Sequence, residues 1–205
     1  MLQTQTVDAR ILGLIRRIQS LPYMRGFNLA GGTALALYFG HRRSIDIDLF
    51  GISSFDEQLL LDQLAPDLNF SLHFAARNTL KGSIEGIKTD ILAHRYPLID
   101  KAVHLDGMML LSIPDIAAMK LNAIALSGQR VKDFVDIYFL LERYTLDEML
   151  DFYRRKYTLQ NDAIVLKSLA WFKDPEPADW PVILKEPGLS WNKVKKRLIQ
   201  SVKGL

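Results

Sequence analysis

The sequence predicts an α+β fold: a small mixed sheet with helices packed on one side, followed from about Ser112 by a mainly helical half. Three observations predict it. Phe27–Ala30, Ile45–Phe50, Leu68–Ala75 and Ser83–Leu92 are short apolar or alternating runs with strand character. Beyond Ser112 the apolar residues recur at helical spacing, between recognisable caps. The chain has 205 residues, 49% hydrophobic and 24% charged, which suits one sizeable core, or one domain with a smaller appendage. The expected organisation is a core domain over residues 1–111 and a helical domain over residues 112–205 that forms the other wall of a cleft.

Composition narrows the function classes. No apolar run is long enough to span a bilayer, and MLQTQTVDAR lacks the shape of a signal peptide. The chain has no cysteine, so disulfides and thiolate metal sites are excluded, which fits a cytoplasmic protein. A net charge of +3 permits a phosphate-bearing partner without demanding one. His73, His94 and His104 have no ligand spacing, which argues against zinc.

In chain order, Val7–Ser20 carries an apolar stripe at Ile11, Leu12, Ile15 and Ile18 and reads as a packing helix ended by Leu21-Pro22. Phe27–Ala30 is a strand that stops at Gly31-Gly32. Thr33 is expected to cap a helix over Ala34–Phe39, ended by Gly40. Ile45–Phe50 alternates, with Asp46, Asp48 and Phe50 on one face. Ser53 or Ser54 opens a helix buried through Leu60, Leu61 and Leu64. Leu68–Ala75 is a strand, Asn78–Gly82 a turn, and Ser83–Leu92 a strand on which Asp90 faces with Lys88 and Leu92.

Ser112 caps a helix to Ser127, with Pro114 in its first turn and a stripe of Ile116, Met119, Ala123 and Ile124. Gln129–Tyr144 is the next helix, with Asp133 and Asp136 one turn apart and Lys132 spaced to pair with Asp136. Thr145 and Glu148 form a capping box for a helix to Tyr157. Asn161–Phe172 is a further helix, and the proline-rich stretch Asp174–Gly188 is an extended crossing segment. Ser190 caps a final basic helix bearing Lys193, Lys195, Lys196 and Arg197, best read as a solvated face.

The residues that carry chemistry are concentrated in NLAGGTALALYFGHRRSIDIDLF, Asn28–Phe50. Same-face residues on a strand lie about 6.5–7 Å apart, so Asp46 and Asp48 repel unless water or a cation lies between them. Mg²⁺ favours one or two carboxylates plus substrate phosphates. Gly31-Gly32 ahead of a helix offers free N–H groups and the positive end of a dipole, which suits a phosphate. His41, Arg42 and Arg43 add positive charge between the two. A DxD on its own is more often a solvated face; the glycines one helix upstream make the combination far more specific. Lys120 lies among apolar helix residues, where a lysine ordinarily snorkels to solvent.

GGTALAL followed by GHRRSIDIDLF resembles the signature of the polymerase-beta-like nucleotidyltransferases. Within them it is most similar to the AbiEii/AbiGii toxins of bacterial toxin–antitoxin, or abortive-infection, pairs. IPDIAAMKLNAI resembles that family's AMK helix, and KDFVDIYFLL its last motif, so the resemblance runs over roughly Gly26 to Tyr144. It implies a polymerase-beta-like nucleotidyltransferase core and Mg²⁺-dependent transfer of a nucleotide from an NTP to an acceptor. Asp46, Asp48 and Asp90 would be the metal ligands. Gly31, Gly32, Thr33, Arg42, Arg43 and Ser44 would bind the nucleotide. Lys120 would be both phosphate ligand and catalytic cation, with Arg130 at hand. Asp133, or second Asp136, would be the general base. Three carboxylates could hold two ions about 3.5–4 Å apart. The resemblance further implies tRNA or another RNA as candidate acceptor, and a cognate antitoxin. Transfer to a small molecule or protein side chain, and a binding or partner protein of this fold without activity, are the alternatives.

Overall fold

The computed structural model describes residues 1–158, 161–172 and 179–205. Seven strands, β1 (Asn28–Leu29), β2 (Ile47–Gly51), β3 (Ser71–Ala76), β4 (Thr79–Ile84), β5 (Ile87–Ala93), β6 (Val103–Leu105) and β7 (Met108–Leu110), form one mixed sheet in the order β3-β4-β5-β2-β1-β7-β6. The fold is the α+β class that the sequence predicts. The parallel pairs are β2 with β5 and β1 with β7; the others are antiparallel.

Helices α1 (Ala9–Ser20), α2 (Gly31–Phe39) and α3 (Glu57–Leu68) are interleaved with these strands. After β7 come α4 (Ile113–Leu126), α5 (Val131–Leu140), α6 (Leu146–Tyr157), α7 (Ala163–Leu169) and α8 (Trp191–Lys203). The boundary expected at residues 111 and 112 falls between β7 and α4. A single cluster of buried apolar side chains reaches from Leu2 to Leu198 and is shared by the sheet and the helices on both sides of that point.

Several local signals act as expected. Ser112 Oγ accepts the Asp115 N–H at 3.1 Å, Thr145 and Glu148 close a capping box, and Ser190 caps α8. Other boundaries move. Asp56, not Ser53 or Ser54, caps α3, whose last turn absorbs Pro66 and runs to Leu68, so β3 begins only at Ser71. Of the expected turn at Asn78–Gly82 only Asn78 turns, together with Arg77, and Thr79 onward is strand β4; the expected strand from Ser83 is broken by a two-residue turn at Glu85-Gly86. Both turn residues have positive φ, +52° and +77°, which closes a tight hairpin between β4 and β5. A second hairpin, β6–β7, turns at Asp106-Gly107 with φ of +50° and +77°. The crossing segment expected over Asp174–Gly188 lies outside the described residues as far as 178. Beyond that, Leu184 N–H donates to the His41 carbonyl and Arg43 N–H to the Val182 carbonyl, which pins the loop that leads into β2.

The two faces of the sheet differ in chemistry. Leu49, Ile91 and Leu80 face one way and are fully buried. Asp48, Phe50, Lys81, Lys88, Asp90 and Leu92 face the other and line a cleft closed by α4.

Candidate active site

The parallel pairing of β2 with β5 sets Asp48 directly opposite Asp90. The hydrophobic residues between them on each strand, Ile47, Leu49 and Ile91, go to the core, so alternation delivers both carboxylates to the cleft. The chain from β1 turns into α2 at once. Ala30 N–H donates to the Asp48 carbonyl at 2.8 Å, and Gly31 follows at φ +63°. A Cβ on Gly31 would lie 2.2 Å from Asp48 Oδ2. On Gly32 it would lie 2.1 Å from an Arg42 guanidinium nitrogen. Both glycines therefore let a charged side chain close on the first turn of α2, and that turn has no side-chain cap.

Burial pushes the Asp48 carboxyl above its ordinary range. Lys120 opposes that shift, and neighbouring Asp90 and Asp46 add to it. Asp90 is buried, and its Oδ1 has no hydrogen-bond partner; Lys88 Nζ lies 3.7 Å from Oδ2. A buried carboxylate oxygen without a donor, beside a second carboxylate, suits a hard cation that prefers oxygen. Asp46 stands apart. It precedes β2, and its Oδ2 lies 3.7 Å from Lys132 Nζ. Among the described residues no three His, Cys, Asp or Glu side chains gather into a cation-binding group, so the expected trio of Asp46, Asp48 and Asp90 is not assembled as one cluster.

Behind this pair lies a buried charge network. Lys120 Nζ donates to Asp133 Oδ1 and sits equally close to Asp136 Oδ2, 2.6 Å in each case. Asp136 also takes the Arg42 guanidinium in bidentate fashion, at 2.7 and 3.0 Å, and lies 2.8 Å from His41 Nε2. Burial favours the protonated form of Asp136, but Arg42, Lys120 and His41 together hold its carboxyl well below the usual range. Burial likewise opposes the charges on Lys120 and Arg42, and the two aspartates outweigh it, so both cations stay charged. Burial holds His41 neutral more often than a free imidazole.

Asp133 Oδ2 is held by Arg130 at 2.8–2.9 Å. Thr33 is not a cap: it is the third helical residue, buried, with its hydroxyl 2.8 Å from Ser44 Oγ and donating to the Asp46 carbonyl.

The cleft has a volume of about 520 Å³. Six cationic side chains line it, Arg42, Lys81, Lys88, Lys120, Arg130 and Lys132, against three acids, Asp46, Asp48 and Asp90, so the cavity favours an anion. Its far end is apolar and aromatic. Phe50 and Leu92, one step along from the carboxylates, meet His94 and Tyr157 there. The rings of Phe50 and His94 lie 5.7 Å apart, and the Tyr157 hydroxyl is 3.2 Å from His94 Nε2. Burial, with help from nearby Lys156, lowers His94 to about 4, so its imidazole is neutral at ordinary pH.

The structure thus brings Gly31, Gly32, Arg42, Ser44, Asp46, Asp48, Asp90 and Lys120 to one cavity. It leaves others off the wall. Arg43 is exposed outside the cleft, Thr33 faces the loop, and Asp133 and Asp136 lie beneath Lys120 and Arg42 with their oxygens engaged. Lys132 reaches Asp46 rather than the expected Asp136. Sequence reasoning missed Lys81, His94 and Tyr157; Lys81 could have been found only by recognising the Glu85-Gly86 hairpin, which registers it opposite Asp90.

Solved structures share this fold. The nucleotidyltransferase toxin MenT4 of Mycobacterium tuberculosis H37Rv superposes with a TM-score of 0.62 at 13% identity, over 96% of this chain and 82% of that one. JHP933 of Helicobacter pylori superposes with a TM-score of 0.53 at 16% identity, over 96% and 92%. Fold and family together define the class, a nucleotidyltransferase. Sequence makes the narrower assignment. The family described as "Nucleotidyl transferase AbiEii toxin, Type IV TA system" matches residues 14–99 and 84–200, and the chain belongs to that family. An uncharacterised protein of Aquifex aeolicus strain VF5 is 33% identical over 166 residues, 78% of this chain and 80% of that protein. No described helix is long and apolar enough to cross a membrane.

Proposed function

We propose that the cleft binds a nucleoside triphosphate with Mg²⁺ and transfers its nucleotidyl group to a hydroxyl of an RNA acceptor, tRNA being the candidate; the hydroxyl oxygen bonds to the α-phosphorus, the α–β phosphoanhydride bond breaks, and pyrophosphate and the hydroxyl proton leave. The observation that carries this is the facing pair Asp48 and Asp90, set beside an uncapped helix start under a surplus of cations. Asp48 and Asp90 would hold the metal, with Asp46 at the edge of the site; a bound Mg²⁺ supplies charge neutralisation at the reacting phosphate.

The chain's own groups do the rest. The first-turn N–H groups at Gly31 and Gly32 point a helix dipole at phosphate oxygens. Arg42 and Lys120, fixed from behind by Asp136 and Asp133, present positive charge where negative charge develops, and being already in place they need no reorganisation. Thr33 holds Ser44 and the Asp46 backbone in register with α2. Asp133 and Asp136 act as positioning residues for the cations: Asp136, held far below its ordinary range and fully engaged, is a poor base, and both oxygens of Asp133 are taken by Lys120 and Arg130. The Phe50–His94–Tyr157 end gives the nucleobase an apolar, partly aromatic seat.

Membership in a family described as a type IV toxin–antitoxin toxin supports a cognate antitoxin as functional partner. The test is incubation with each labelled NTP, Mg²⁺ and total RNA. Label in RNA that disappears in Asp48→Asn is the expected result. Label in protein instead points to side-chain modification, and no label with any acceptor points to a binding protein; either outcome overturns the RNA reading.

A further inference from the structure

Four side chains form a row across the sheet, and the last of them lies outside the site as described. Asp48 on β2 pairs with Asp90 on β5, Asp90 with Lys81 on β4, and Lys81 with Phe74 on β3. Residues directly opposite each other in a sheet share a face, so the cleft face continues past the carboxylates to a lysine and then a phenylalanine. Three strand spacings put Phe74 about 14 Å from Asp48.

Phe74 reaches this face through an irregularity. Ser71 pairs with Ser83 and Leu72 with Gly82, so regular alternation would put His73 opposite Lys81. A bulge between Leu72 and Phe74 inserts one residue and brings Phe74 to that place, while the His73 ring stays beside Ser83, its Nε2 3.5 Å from Ser83 Oγ. The ring is no part of the apolar core. It is 53% exposed, and among the described residues it meets no other ring. All six residues of β3 are exposed. Lys81 lines the cleft and makes no ion pair among the described residues, and Lys88 adds a second cation on the same face.

We propose that the cleft-side face of the β3–β4 hairpin is a track for the single-stranded end of the RNA acceptor. Phe74 stacks on a base upstream of the reacting hydroxyl, and Lys81 pairs with a backbone phosphate between that base and the carboxylates. An aromatic ring followed by a cation, in line with the centre that handles phosphate, is the pairing by which single strands are held without base readout. A peptide added to the open β3 edge would bind through its backbone and have no use for Lys81. This inference rests on the reading that the acceptor is RNA.

The test uses a short single-stranded RNA with a free 3′ hydroxyl, fluorescently labelled at the 5′ end, and the full chain. Phe74→Ala is expected to weaken RNA binding about ten-fold, within the range for one lost base stack, and Phe74→Trp to restore it. Lys81→Gln is expected to reduce the slope of log affinity against log salt by about 0.7. Phe74 is exposed, so its variants should keep the thermal midpoint and the affinity for NTP alone. If wild type labels RNA but both variants bind it as wild type does, the track is overturned while the RNA acceptor stands, and the exposed edge becomes a surface for a protein partner. If wild type labels protein and neither binds nor labels RNA, the acceptor reading falls and takes the track with it.

Discussion

Asp136→Asn separates a base from a clamp. In the folded protein the Asp136 carboxylate is completely buried and faces Arg42, Lys120 and His41 at 2.6–3.0 Å. The amide keeps the shape and removes the charge. Arg42 then keeps one amide oxygen, the Arg43 carbonyl and Ser44 but no carboxylate in hydrogen-bond contact, and Lys120 keeps Asp133. Removing one partner from a buried ion pair costs about 3–5 kcal/mol, because the remaining charge is left in a poorly solvating place. For a chain of 205 residues that is a fall of about 10 °C in thermal midpoint. Affinity for NTP should fall with it, since the displaced cations are the proposed phosphate ligands. Differential scanning fluorimetry, with NTP titration on the same samples, measures both. If the midpoint moves less than about 2 °C and NTP affinity is unchanged while transfer is lost, Asp136 is acting on the reacting group and the clamp assignment is wrong. The pH dependence has a definite sign. The folded carboxyl titrates well below its ordinary value, so its stabilisation is present above the unfolded range and lost only as pH falls through the depressed value.

Asp48 behaves oppositely. Its carboxyl is raised by burial, so the ionised form opposes folding at neutral pH; Asp48→Asn should leave the thermal midpoint equal or higher while abolishing transfer, which a paired melt and labelling assay reads. Mg²⁺ or Mn²⁺ should raise the midpoint of wild type and not that of Asp48→Asn, and equal shifts in both would remove Asp48 from the metal site. Gly31→Ala should lose NTP binding and at least about 1–2 kcal/mol of stability, from the left-handed backbone and the 2.2 Å approach to Asp48; a wild-type melt and affinity would contradict the packing described. His94, lowered to about 4, makes stability fall as pH drops from the ordinary imidazole value toward 4, and it should place no break in the transfer profile between pH 6 and 8; a His94→Gln variant that shifts such a break would show otherwise.

How much of this was legible in the sequence depended on whether the cause was local. Ser112, the Thr145–Glu148 box and Ser190 cap through neighbours three residues away, and they stand where the sequence puts them. The DxD and the two glycines were visible because each sits within a few residues of its own turn or strand. Thr33 misled because two glycines before a helix look like a loop. Here Gly31 itself opens the helix, its positive φ fitting the turn out of β1, and Thr33 is drawn inward to Ser44.

Long-range pairing was opaque in a specific way. Spacing on one helix assigned Lys132 to Asp136 as a surface pair worth a few tenths of a kcal/mol. In the fold Asp136 stays on the Lys132 side of α5 but lies in the interior, where Phe134, Val135 and Ile137 around it are fully buried, while the longer Lys132 side chain reaches out to Asp46. Once inside, an aspartate must find charge, and only chain elements distant in sequence, Arg42 and Lys120, can supply it. The same burial converts Lys156, which reads as a basic residue favourable at a helix end, into the buried partner of Asp115 at 2.6 Å. Those two networks tie α4 to α5 and the Arg42 loop that leads into β2 on one side, and to α6 on the other. The lysine that faces the cleft is therefore set by the packing of the helical half against the sheet. A lesion in either network should be read first as misplacement of Lys120, and only then as loss of chemistry.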